Sequence, residues 1–177
     1  MFATIYLPNF QLQAAVRHQP QLRGKPVALI ETQERKAVIV QLTDTAEAAG
    51  VRKQMTPSQG LARCLSLTIK TREQAQENLI NEILLQHAFT LSLFIEPTAP
   101  GICTIQFTDN RDLTSKLSWI VQQLAKCEIT ARGGIASTPD ISFLAAHLAR
   151  PVLEIEEAKE FLAPLPIETL AITASGD

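Results

Sequence analysis

Residues 21–57 read QLRGKPVALIETQERKAVIVQLTDTAEAAGVRKQMTP, and this stretch decides the fold. Gly24-Lys25-Pro26 is turn chemistry, and the apolar run Val27–Glu31 that follows it is predicted to be a strand. The charged segment ETQERK (31–36) separates it from a second apolar run, Ala37–Leu42, so the two form a hairpin. An alanine-rich helix is expected over Thr43–Ala49. Thr43 supplies the N-cap hydroxyl, and Gly50 supplies a residue that tolerates the left-handed C-cap conformation.

Moving towards the N-terminus, Ala3–Leu7 forms a first strand halted at Pro8, which has no N–H for a ladder. Phe10–His18 follows as a helix with Phe10, Ala14, Ala15 and Val16 on its apolar side. Beyond the opening stretch, a short helix from Pro57 to Cys64 precedes an extended Leu67–Lys70. Arg72–Phe89 repeats Leu79, Ile80, Ile83, Leu84 and His87 at helical spacing. Leu91–Ile95 and Ile102–Phe107 are predicted strands, separated by the turn cluster Glu-Pro-Thr-Ala-Pro-Gly. Asp112–Ala125 is an amphipathic helix carrying Leu113, Leu117, Ile120, Val121 and Leu124, with Asp109-Asn110 as its expected cap. Glu128–Ala131 is read as a strand ending at Gly133-Gly134, Thr138–Ala149 as a helix, and Ile155–Leu162 as the start of another. With residues 10–70 set aside, the order is strand, helix, strand, strand, helix, strand. That is an α/β chain of ferredoxin-like βαββαβ pattern with an insertion after its first strand.

With 177 residues, 46% of them hydrophobic, the chain can bury a substantial core. Its net charge of −2 disfavours a free-standing nucleic-acid binder, because phosphate contacts need clustered cations. Residues 1–70 nevertheless hold nine Lys/Arg against four Asp/Glu, whereas residues 71–177 hold seven against fourteen. Arg35, Lys36, Arg52, Lys53 and Arg63 make the inserted segment basic, and they are candidates for weak contact with DNA or an acidic partner. Cys64, Cys103 and Cys127 are dispersed and odd in number, which argues against zinc and against a disulfide framework and fits a reducing cytoplasm. MFATIYLPNF lacks the basic start and long apolar core of a signal peptide, and no stretch reaches membrane-spanning length. His18, His87 and His147 are isolated and are expected to be structural.

Leu22, Gly24, Pro26, Val27, Ala28, Gly50, Val51, Arg52 and Met55 stand in the order of a known fingers pattern, "L-x-G-x-P-V-A-V" followed by "A-R-x-x-G-V-R-x-G-M-P". On these residues the chain resembles the Y-family (UmuC-type) translesion DNA polymerases. Ile95-Glu96-Pro97 resembles the family's central hairpin. GGIASTPDISFLAAHLARP keeps the frame of its "G-I-A-x-N-K" helix, and FLAPLPIETLAI resembles its palm-to-thumb connection. The resemblance implies a palm over residues 1–9 and 71–150, fingers over 10–70 and the start of a thumb over 151–177.

The family activity is DNA-directed DNA synthesis by two Mg²⁺ ions held on palm carboxylates. Aligned on Ala14-Ala15-Val16, the first acidic pair falls on Pro8 and Phe10, and the two aromatics that follow fall on Leu12 and Gln13. The hairpin acids fall on Gly101 and Ile102. The positions that grip the triphosphate fall on Asp44, Glu47 and Pro139. The resemblance therefore implies no catalytic, metal or cofactor residue, and the expectation is a chain that is not an enzyme.

Tyr6-Leu7-Pro8-Asn9-Phe10 is similar to the start of the ImuB-like branch, regarded as non-catalytic adaptors in DNA-damage-induced mutagenesis. The partners this implies are a RecA-like ImuA protein, an error-prone C-family DNA polymerase and the sliding clamp. An alternative is a divergent, active nucleotidyltransferase with relocated acids, for which Glu96, Asp109 and Asp112 are available. An unrelated ferredoxin-like binding domain would lack the fingers-like insertion.

Overall fold

The computed structural model describes residues 1–32 and 36–169. The chain divides into two compact units, one formed by Met1–Pro8 with the residues from Ile80 onward, the other by Asn9–Leu79.

Strand β1 (Phe2–Tyr6) opens the first unit and is followed at once by the second. The second unit contains α1 (Phe10–Val16), β2 (Val27–Ile30), β3 (Ile39–Leu42), α2 (Asp44–Ala48), α3 (Pro57–Arg63) and β4 (Thr68–Thr71). Its sheet has the order β3-β2-β4, antiparallel between β2 and β3 and parallel between β2 and β4. All four residues of β2 are buried. The reason is that one face of the sheet meets Ala46, Val51, Cys64 and Leu67, while the other meets Leu12 and Ala15 of α1. A strand covered on both faces reads as a continuous apolar run, which is why VALI was legible.

The caps of this unit follow the sequence. Thr43 accepts the Ala46 N–H, and Gly50 has a positive φ of 88°. Thr56 and Gln59 form a reciprocal capping box at the start of α3, with Pro57 at the first helical position. Gly60 lets α3 lie close to Ile39 and Leu67, whose side chains a Cβ would meet.

The first unit continues through α4 (Gln74–Phe89, which spans the division), β5 (Ile95–Ala99), β6 (Ile102–Gln106), α5 (Leu113–Lys126), β7 (Arg132–Ala136), α6 (Pro139–Leu148), β8 (Val152–Glu154) and α7 (Ala158–Leu162). Its five strands lie in the order β5-β6-β1-β7-β8. The first four, renumbered within the unit, give the ferredoxin-like 2-3-1-4 arrangement, so the expected fold class is present. β1 is central and pairs antiparallel with both β6 and β7, with Ile5 opposite Cys103 and Gly133.

Three elements differ from the sequence reading, each for a physical reason. Glu128–Ala131 is not the strand. β7 begins at Arg132 and runs through Gly133 and Gly134 instead of ending there. Successive strand residues face opposite sides, and both sides are crowded. A Cβ on Gly133 would meet Leu117 of α5, and one on Gly134 would meet the backbone of Ser142 and Ala146 in α6, in each case closer than 3.0 Å. The glycines are strand residues because helices press on both faces.

Leu91–Ile95 is likewise not a strand. β5 starts at Ile95 and includes Pro97, which the sequence reading placed in a turn. Proline is tolerated because β5 is an edge, and the ladder shifts register between Glu96 and Ala99. Val152–Glu154, which was assigned to no strand, pairs parallel with β7 as the opposite edge.

Candidate functional site

The resemblance directs attention to the end of β1 and to the β5–β6 hairpin, both in the five-stranded unit. The backbone joins them. Leu7 N–H donates to Gly101 O at 2.9 Å, and Gly101 N–H donates to Asn81 Oδ1 at 3.1 Å. Gly101 turns the hairpin with φ 76°, a conformation that a side chain would strain. Ile102 opens β6, buried and opposite Tyr6. Pro8 lies half-buried two residues past the end of β1, and Phe10 is buried at the start of α1 in the other unit.

Behind this end, the sheet carries a line of hydroxyls. Thr98 Oγ1 and Thr104 Oγ1 share a hydrogen bond at 2.7 Å, and Thr4 Oγ1 and Ser142 Oγ share one at 2.8 Å. The two pairs meet across Thr4 and Thr104 at 3.5 Å, and Ser142 Oγ–H donates to Pro139 O at 2.8 Å. Thr4, Thr104 and Ser142 are buried, so these bonds satisfy groups that would otherwise be costly to bury. Pro139 is the first residue of α6, whose N-cap Thr138 accepts the Ile141 N–H. At its other end, α6 stacks His147 on Tyr6, with ring centroids 3.9 Å apart, while His147 Nδ1–H donates to Phe143 O. Burial holds the His147 imidazole below its ordinary pKa, partly offset by the Phe143 carbonyl. Cys103 lies in the core of β6, and burial, helped by the charge of Glu96, pushes its thiol up to about 12.

The acids available for relocation take other roles. Asp109 does not cap α5. It binds the Arg111 guanidinium and backbone N–H, and this pairing holds its carboxyl below the usual range. Asp112 is the N-cap residue of α5, in a left-handed conformation with no side-chain cap bond. Glu96 stands on β5, where it lines a groove with Asp140. Among the described residues no three His, Cys, Asp or Glu side chains gather as a metal site.

In the three-stranded unit, Asp44 and Glu47 are exposed in the first turn of α2, where carboxylates complement the helix dipole. Arg52, a candidate contact residue, is committed within the chain, donating from Nη1 to the carbonyls of Glu47 and Val51. Lys36, Lys53 and Arg63 are exposed. Arg35 lies outside the described residues. A stronger charge pair went unnoticed in the sequence: Arg72 binds Glu77 in bidentate fashion at 2.7 and 2.9 Å, with Glu77 only 2% exposed. The spacing Arg-x-x-x-x-Glu at a helix start was its signal. The pair of exposed apolar residues Leu93-Phe94 was missed because LSLFI was read as strand.

The impB/mucB/samB family model matches residues 5–147. DNA polymerase IV of Pseudomonas syringae pv. tomato is 27% identical over 173 residues, covering 91% of this chain and 48% of that protein. DNA polymerase IV of Legionella pneumophila (strain Corby) is 22% identical over 174 residues with the same coverage. The chain thus spans about half the length of the curated relatives it matches.

Among solved structures, an insertion ternary complex of Dbh DNA polymerase superposes with a TM-score of 0.83 at 18% identity, covering 95% of this chain and 53% of that one. DinB from Sulfolobus solfataricus gives 0.80 at 17% identity, covering 95% and 52%. These likenesses show the fold, a Y-family palm with inserted fingers. They also correct one expectation. The inference that the chain is not an enzyme is overturned by relatives named as DNA polymerases, matched across nine-tenths of its length.

Proposed function

Since the chain belongs to the impB/mucB/samB family, we propose that it acts in DNA-damage bypass in the cytoplasm, as the palm and fingers of a DNA polymerase IV-like protein. The observation that carries this reading is the joint match of sequence and fold, with the complete palm strand order and the inserted unit both present. The exposed cations Lys36, Lys53 and Arg63 support weak contact between the fingers and a DNA backbone.

The family's reaction rests on Mg²⁺, which supplies charge stabilisation and an activated 3′-oxygen when bound. Pro8, Gly101 and Ile102 offer no carboxylate at the joined strand ends, so these positions do not fit the ion and no step is derived through them.

Within bypass, the finer reading is an adaptor's part beside a RecA-like protein, an error-prone C-family polymerase and the sliding clamp. The Tyr6–Phe10 segment favours it. The end of β1 is closed onto the hairpin turn by the Leu7–Gly101 bond, and Asn9 (φ 48°) carries the chain directly into α1.

Disrupting the gene tests the role. The expected result is a fall in the frequency of damage-induced mutation, restored by the gene in trans; an unchanged frequency rejects it. Affinity capture from damaged cells, with the three partners detected individually, tests the adaptor reading. Failure to retain any of them would reject that finer part alone.

A further inference from the structure

A groove runs beside α6 across the palm sheet, from edge strand β5 to the start of α6. Two cavities of about 300 and 350 Å³ form it, and they share Glu96, Thr104 and Pro139. Glu96 and Asp140 are the charged residues of its lining, and no Lys, Arg or His joins them. The remainder is largely apolar or hydroxylic. Phe143 stands on the α6 side, Phe2 lies at the β1 end, and the exposed pair Leu93 and Phe94 lines the far end. Leu93 and Phe94 are 83% and 60% exposed, a large apolar area to leave in water at two successive positions.

Three features narrow the occupant. A nucleic acid is disfavoured, because phosphates would meet two carboxylates with no cation to neutralise them. Strand addition at the sheet edge is disfavoured too, since Pro97 lacks an N–H and the β5 ladder is irregular beside it. The hydroxyl line from Thr98 to Ser142 ties the floor to α6, so the groove is held by internal bonds.

We propose that this groove docks an extended segment of a partner protein carrying basic and large apolar side chains two residues apart. In an extended chain such side chains point the same way. The basic ones meet Glu96 and Asp140, and the apolar ones cover Phe2, Leu93 and Phe94. The proposal rests on the lining of the palm and is independent of the bypass reading.

The test is a fluorescence-anisotropy titration of this chain with three labelled probes: the peptide Lys-Ser-Leu-Ser-Lys-Ser-Leu, its glutamate counterpart, and single-stranded oligo-dT. The lysine peptide is expected to bind, more weakly as salt rises. Glu96→Gln with Asp140→Asn should raise its Kd about fivefold, from two partly exposed charge pairs. Phe94→Ala should raise it about tenfold, as for an aromatic anchor. Both sites are solvent-facing, and circular dichroism verifies that the variants fold. No binding of the lysine peptide, equal binding of the glutamate peptide, or an unchanged Kd in the variants would overturn the proposal. Oligo-dT competing for the groove would overturn it in favour of a nucleic-acid ligand. A concentration-dependent dimer that buries Phe94 would overturn it in favour of a second copy of the chain.

Discussion

In the palm, two adjacent glycines of β7 admit helices onto both faces of a five-stranded sheet. In the fingers, short helices cover a three-stranded sheet, and two of them, α2 and α3, are held by side-chain caps. The charges divide in the same way. Residues 9–79 hold ten Lys/Arg against six Asp/Glu, and the remaining residues hold six against twelve. Close backbone approach fixes β7 of the palm, whose groove is acidic, whereas local polar bonds cap helices of the fingers, which carry an excess of basic residues.

Crowding the palm has the largest expected effect. Gly134→Ala sets a Cβ against the backbone of Ser142 and Ala146, which cannot rotate away, and should cost about 4 kcal/mol in urea denaturation, above the usual range for overpacking. Gly133→Ala faces the movable end of Leu117 and should cost about 2 kcal/mol. Equal costs would mean that close backbone approach is not what fixes β7.

In the unit Asn9–Leu79, Arg72→Met leaves Glu77 buried without its cation and should cost about 3 kcal/mol. Adding Glu77→Leu should recover much of that loss, because the desolvation penalty leaves with the charge. Failure to recover would assign the cost to packing of the Arg72 stem. A smaller effect, about 1 kcal/mol, is expected for Thr56→Ala, which opens the capping box of α3.

The smallest effect is a pH dependence specific to the palm. The folded pKa of His147 lies below the unfolded value of 6.5, so the unfolded chain binds more protons between the two. Stability is therefore full above about pH 6.5 and declines as pH falls towards the folded pKa. His147→Phe should flatten this part of the stability–pH curve. A curve that keeps its slope would place the titration on another group.

Much of this was legible from the chain. VALI, the Thr43 and Pro57 helix starts and the α5 stripe of Leu113, Leu117, Ile120 and Leu124 follow from local periodicity and capping chemistry. β5 and β7 were misplaced because their sequences obey tertiary rules. Pro97 survives on an edge that sequence does not identify, and Gly133-Gly134 imitates a turn until helices are known to press on both sides. At the candidate site, Gly101 turns the β5–β6 hairpin and Ile102 opens β6, both within one local segment, whereas the groove shared by Glu96 and Asp140 joins residues 44 positions apart. No local pattern announces such a pairing.

The proposed contact between the fingers and DNA is open to a titration with labelled primer-template DNA. Salt-sensitive binding is expected, and Lys36→Glu, Lys53→Glu and Arg63→Glu together should weaken it at least tenfold, with the salt slope reduced by about 0.9 for each phosphate no longer neutralised. Binding that survives the triple change intact, or an unaltered protein that fails to bind at low salt, would contradict it.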